Sequence, residues 1–134
     1  MKNEIKLIAD LAHGKGAIVK VILETCYLSD EQKVKACQLS ESAGADFVKT
    51  STGYGSAGAK IADVALMRKT VSPAVRVKAS GGIRTLDTVL SARAAGAARC
   101  GVSATEPIML EALKREAEGT LVMPENLTEM SGEY

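Results

Sequence analysis

Aromatic side chains are scarce: the chain has no Trp, three Tyr and one Phe. A core of these residues must come from Ala, Val, Ile, Leu and Gly, as in strands and helices that pack closely. Histidine is rarer still. His13, the single one, stands beside Gly14 in a helix-ending turn and reads as a surface residue, so a zinc site or a Ser-His-Asp triad is not expected. The three cysteines, Cys26, Cys37 and Cys100, are odd in number and match no metal-ligand spacing. No secretory leader precedes them, and a reduced, cytoplasmic protein is the expectation. No apolar run approaches the roughly 18–20 residues that a spanning helix needs. A net charge of +1 points neither to nucleic acid nor to a membrane surface.

What remains is an ordinary globular composition, 46% hydrophobic and 25% charged, in 134 residues, the length of one domain. A helix is predicted over residues 2–13, with Ile5, Ile8, Ala9 and Ala12 at helical spacing. The β-branched run AIVKVILE (17–24) predicts a buried strand interrupted by Lys20. Ser29-Asp30-Glu31-Gln32 carries capping chemistry for a helix to about Ala43, with Val34, Cys37, Leu39 and Ala43 available to a core. A short strand ends at Lys49, and a glycine-rich loop (53–58) leads to a helix at about 60–69, with Ile61, Val64, Ala65 and Met67 apolar. A strand carries Lys78, a helix begins near Thr85 and ends at Gly96, and a last strand spans 97–103. Thr105 is the expected N-cap of a final helix to about Gly119, with Pro107 in its first turn. The predicted domain is 1–119, and 120–134 lacks periodicity and reads as a tail. The order is one helix and then four β–α units, which predicts an α/β fold with a parallel sheet and right-handed crossovers.

Lys20, Lys49 and Lys78 are each 29 residues apart, one on each of three successive strands. In such folds the strand carboxyl ends and the loops after them carry the chemistry. An ammonium is rarely buried without a partner. Two lysines on adjacent strands therefore suggest amine attack on a carbonyl, with Lys78 as the cation that favours a neutral Lys49. Arg76 shares strand parity with Lys78 and adds to the field, and Thr50, Ser51 and Thr52 supply hydroxyls at the same turn. The plainer alternative is that both lysines pair with acids or reach solvent. Gly81-Gly82 and Gly101-Val102-Ser103 each precede a helix, where backbone N–H groups and the helix terminus favour a phosphate. Arg84 either assists there or is a surface residue, and Glu24 either partners a lysine or is a solvated loop acid.

The stretches VKVILET (19–25), AGADFVKTSTG (43–53), VKASGGIRT (77–85) and AGAARCGVSAT (95–105) closely resemble deoxyribose-phosphate aldolase, a class I aldolase family with a TIM-barrel fold. The resemblance covers about residues 1–119 and only half of the barrel: strands five to eight, preceded by the helix that follows strand four. It implies Lys49 as the Schiff-base lysine and Lys78 as the second active-site lysine, which tunes the first and moves protons. It implies Gly53, Gly81, Gly82, Gly101 and Ser103 as phosphate contacts, and Lys20 as a further lysine lining the pocket. The implied reaction is reversible cleavage of 2-deoxy-D-ribose 5-phosphate to glyceraldehyde 3-phosphate and acetaldehyde, without a metal or organic cofactor. The substrate is a small phosphorylated sugar or aldehyde.

The family's strand-four aspartate, which completes the proton relay, has no counterpart in these 134 residues. Asp46 has the wrong strand parity to replace it, and Arg76 stands where a smaller or neutral residue is expected. A half barrel also has two open sheet edges, which predicts a homo-oligomer assembled through them. A non-catalytic phosphate-binding or assembly module on the same scaffold is the alternative function. Another phosphate-binding barrel enzyme, with the lysines as anion ligands, is a third.

Overall fold

The computed structural model describes residues 1–130. A helix α1 (Lys2–His13) precedes four strand–helix units: β1 (Lys20–Ile22) with α2 (Asp30–Ser42), β2 (Phe47–Lys49) with α3 (Ile61–Thr70), β3 (Arg76–Ser80) with α4 (Leu86–Ala94), and β4 (Ala97–Gly101) with α5 (Thr105–Ala117). The strands form one parallel sheet in the order β1-β2-β3-β4. Each unit steps to the neighbouring strand, so all four carboxyl ends share one rim.

The two faces of the sheet are chemically different. Val48, Val77 and Ala79 point outward and pack with Val64 and Met67 of α3, Cys37 of α2 and Ala92 of α4 in the main core. Each fully buried Val or Met of that layer contributes about 1.5–3 kcal/mol. The opposite, inner face carries Lys20, Phe47, Lys49, Arg76, Lys78 and Arg99. The register pairs Lys20 with Phe47, Phe47 with Arg76, Lys49 with Lys78, and Lys78 with Arg99. The charged groups of Arg76, Arg99 and Lys20 lie 4.4, 4.8 and 5.5 Å from the centre of the Phe47 ring.

Local chemistry explains most element ends. Ser29 and Gln32 form a reciprocal capping box on α2, and Thr85 and Thr88 form another on α4. Arg68 closes the turn after α3 by donating to the carbonyls of Val71 (2.7 Å) and Val75 (2.8 Å). Asp46 accepts from Val19 N–H at 2.7 Å and lies 2.9 Å from His13 Nε2, which ties α1 to the entries of β1 and β2. The hydrogen bond to His13 and then that from Val19 hold the Asp46 carboxyl below its usual range.

Several expectations are corrected. β1 is three residues long and only partly covered, because it is an edge strand with no neighbour on its far side. β4 ends at Gly101, not at 103. Ala104, not Thr105, occupies the N-cap of α5, and no side chain caps that helix. Thr105 is its first helical residue, which turns its hydroxyl away from the N-cap role. On α1 only Ala9 is buried, and Ile8 is exposed, because the helix packs chiefly against α2. Ala65 is exposed, and its expected place in the core is taken by the neighbouring Val64 and Met67. The stretch after residue 119 is not wholly loose: Met130 joins the main core, and Thr128 N–H donates to Ser91 Oγ at 2.8 Å. Residues 131–134 of the expected tail lie outside the described residues.

The three cysteines are free, and burial pushes the Cys37 thiol up to about 11. Among the described residues no helix is long and apolar enough to cross a membrane.

Candidate active site

Lys49 is the last residue of β2 and stands in register with Lys78 of β3. Both face a cavity of about 320 Å³ at the carboxyl rim. Its wall is built by Thr52 and Gly53 after β2, by Ser80 to Arg84 after β3, and by Gly101 to Ser103 after β4. Seven of the eight site residues expected from the sequence therefore meet there: Lys49, Lys78, Gly53, Gly81, Gly82, Gly101 and Ser103. Lys20 is not among the lining residues. It sits one row lower on the inner face, over Phe47.

The rim is held by hydroxyls. Thr50 Oγ1 donates to Ser80 O at 3.2 Å and accepts from Ser80 N–H at 3.1 Å, and Ser80 Oγ donates to Ser51 O at 2.8 Å. Thr50 and Ser51 are buried, so of the three hydroxyl residues after Lys49 only Thr52 reaches the cavity. Ala59 N–H donates to Ser80 O and Gly81 O, both at 3.1 Å. That contact requires Gly58: a Cβ there would lie 2.4 Å from the Gly81 carbonyl carbon. Gly81 and Gly82 have consecutive φ values of 87° and 74°, a left-handed pair that suits glycine and leads straight into α4. Gly101 has a different purpose. A Cβ there would come within 3.2 Å of Lys78 Cε, so its bareness gives the lysine room to lie across β4.

The ammonium pKa of Lys78 is lowered, first by burial and then by the charges of Lys49, Lys20 and Arg99. Among the described residues no carboxylate lines the cavity. Of the plainer alternative, that these lysines pair with acids or reach solvent, the first part does not hold: among the described residues neither makes an ion pair, and both are partly exposed. Arg84 is exposed and also lines the cavity. Arg99 contributes to the field on Lys78, which sequence reasoning missed, and Arg76 is held against Phe47.

Glu24 has a partner that neither reading offered for it named. Its carboxylate accepts the Thr52 N–H at 3.1 and 3.2 Å and also the Thr52 hydroxyl, and so anchors the start of the glycine-rich loop. Tyr27 Oη accepts from Ser56 N–H at 3.1 Å further along that loop. Glu24 was missed as a site residue although its place at the carboxyl end of β1 was a signal. Gly58 was seen only as part of a glycine-rich loop.

The family model for the DeoC/LacD family of aldolases matches residues 1–106. The chain belongs to that family. It is similar to the deoxyribose-phosphate aldolase of Thermococcus kodakarensis, with 58% identity over 103 residues, which is 77% of this chain and 46% of the relative. The enzyme of the same name from Bacillus cereus (strain AH820) is 55% identical over 114 residues, 85% of this chain and 51% of its own. Among solved structures, an aldolase named QR15 superposes with a TM-score of 0.80 at 42% identity, covering 87% of this chain and 52% of its own. A deoxyribose phosphate aldolase from Aeropyrum pernix, described as a tetramer, gives 0.76 at 38% identity, covering 84% and 48%. The chain spans about half the length of the curated relatives it matches. Its four parallel strands and their helices are consecutive β/α units of a TIM-barrel aldolase, as expected from the sequence.

Proposed function

We propose that the cavity is the imine-forming part of a class I aldolase site acting on 2-deoxy-D-ribose 5-phosphate. The observation that carries this reading is the register of Lys49 with Lys78, two lysines that line one cavity and make no ion pair among the described residues. Lys49 Nζ attacks the aldehyde carbon C1 of the open-chain sugar, and loss of water leaves a protonated imine. The C2–C3 bond then breaks. Its electron pair enters the iminium to form an enamine, and the C3 hydroxyl loses its proton to become the aldehyde of glyceraldehyde 3-phosphate. Protonation at C2 and hydrolysis of the imine release acetaldehyde. The iminium is itself the electron sink, so the cycle needs no metal or organic cofactor. Lys78, with its lowered pKa, is the group suited to exchange these protons. Gly81, Gly82 and the Gly101–Ser103 turn form the wall proposed for the phosphate, with Arg84 beside them, while Gly53, which the resemblance also implies as a phosphate contact, stands beside Thr52 after β2. Lys20 acts through its charge on Lys78.

Incubation with acetaldehyde followed by borohydride reduction should add a two-carbon mass to Lys49, and Lys49→Met should abolish it. Mass on surface lysines alone would overturn the assignment. Among the described residues no carboxylate lines the cavity, and this favours a second reading in which the chain binds phosphate esters without cleaving them. The same reduction separates the two, since a pure binding module traps nothing.

Self-association belongs to this proposal, and the tetrameric Aeropyrum pernix relative supports it. β1 and β4 are each paired on one side only, and α1 and α5, which pack against α2 and α4, expose Leu7, Leu11, Leu110 and Leu113. Two inner faces brought together would oppose Lys20, Lys49, Arg76, Lys78 and Arg99 of both copies. Contact through the apolar helix faces is therefore favoured over closure of two half barrels. Light scattering should give a mass above that of one chain, and a monodisperse single-chain mass would count against it. A cytoplasmic location completes the proposed reading, and fractionation of the source cells tests it.

A further inference from the structure

We propose that Glu24 is a positioning residue that makes one wall of the cavity accept a substrate hydroxyl and leaves the opposite wall to the phosphate. This rests on the aldolase reading of the same site. Glu24 is the only non-glycine residue with a positive φ (56°) among the described residues, a conformation that a side chain with a Cβ disfavours. The distortion aims its carboxylate at Thr52. Both donors of Thr52, its N–H and its hydroxyl, point to that carboxylate. Thr52 Oγ1 also accepts the Tyr54 N–H at 3.1 Å. With its proton committed to Glu24, Oγ1 can meet a ligand only as an acceptor. The complementary ligand group is a hydroxyl. Gly55 leaves room for this arrangement, because a Cβ there would lie 3.0 Å from Glu24 Oε1.

The far wall has the opposite character. Gly81 and Gly82 turn into the start of α4, Ser103 precedes α5, and Arg84 is beside them. An anion is drawn there. A hydroxyaldehyde phosphate is thereby held in one orientation, hydroxyl toward β1 and β2 and phosphate toward β3 and β4, with its carbonyl between them at Lys49. Acetaldehyde has neither group and gains nothing from this polarity.

The test compares borohydride trapping on Lys49 of the whole 134-residue chain with two probes, 2-deoxyribose 5-phosphate and acetaldehyde. Glu24→Gly removes the carboxylate and relaxes the backbone, so the melting temperature should not fall. The ratio of sugar-phosphate to acetaldehyde trapping should drop about tenfold, the size of one lost hydrogen bond. Glu24→Gln keeps the shape without the charge and should restore part of the ratio. An unchanged ratio overturns the proposal. So does an equal loss with both probes together with a lower melting temperature, which marks a purely structural residue. If the unmodified chain traps neither probe, the aldolase reading itself falls and this proposal with it.

Discussion

Two lysines on opposite sides of the same sheet have opposite fates. Lys33 of α2 lies in the outer layer, nearly buried, with its Nζ 2.7 Å from Asp63 Oδ1 and 2.9 Å from Asp30 Oδ1. Burial alone would lower its pKa, but the hydrogen bonds to Asp63 and Asp30 outweigh burial and raise it. Lys78 on the inner face is also partly buried, yet it meets Lys49, Lys20 and Arg99 in place of acids, and its pKa falls. The pair teaches that burial does not by itself make a lysine reactive. The sign of its neighbours decides between a structural cation and an available amine.

The largest effect that tests this contrast is on stability. Lys33→Met strands the Asp63 carboxylate, whose side chain is only 6% exposed, and should cost about 3–5 kcal/mol. Asp30 is too exposed to matter much. Lys78→Met removes a cation that makes no ion pair among the described residues, and should leave stability within about 1 kcal/mol of the original. Urea midpoints of the two variants check both, and equal losses would break the contrast. The pH dependence follows with opposite signs. The raised pKa of Lys33 gives stability that is fully present below the unfolded lysine value of about 10.4 and lost as pH rises through the folded value above it. The lowered pKa of Lys78 penalises the folded state at lower pH, and that penalty is relieved as pH climbs from the folded value toward 10.4.

This contrast also marks how far the sequence could be read. The order of elements was legible because each has its own local signal: β-branched runs for strands, Ser29-to-Gln32 and Thr85-to-Thr88 for helix starts, glycines for ends. The meeting of Lys49, Lys78 and the glycines was legible because parallel βα units place their strand ends on one rim. Contacts between residues about 30 apart were not. Lys33 with Asp63 and Glu24 with Thr52 are ordinary charged or polar residues in sequence, and only the crossover brings them together. Met130 was missed for a related reason: one apolar residue in an aperiodic stretch carries no pattern, yet it docks in the core. The length of β1 was overestimated because a β-branched run does not tell whether a neighbouring strand exists to cover it.

A smaller effect sharpens the contrast from the other side, by giving Lys78 what Lys33 has. Arg99 is its register partner on β4 and one of the charges that lower its pKa. Arg99→Glu replaces that repulsion by a carboxylate on the neighbouring strand, which stabilises the ammonium and makes it a poorer proton donor. The proton-transfer step of aldol cleavage should slow about tenfold at neutral pH, equivalent to about 1.4 kcal/mol, and its pH profile should move to higher pH. The trapping of acetaldehyde on Lys49 should change less, because Arg99 is in register with Lys78 and not with Lys49. A pH–rate profile that stays in place, or moves to lower pH, would mean that the inner-face cations do not set the state of Lys78. The distinction between the two lysines would then rest on burial alone, which is the explanation that Lys33 already contradicts.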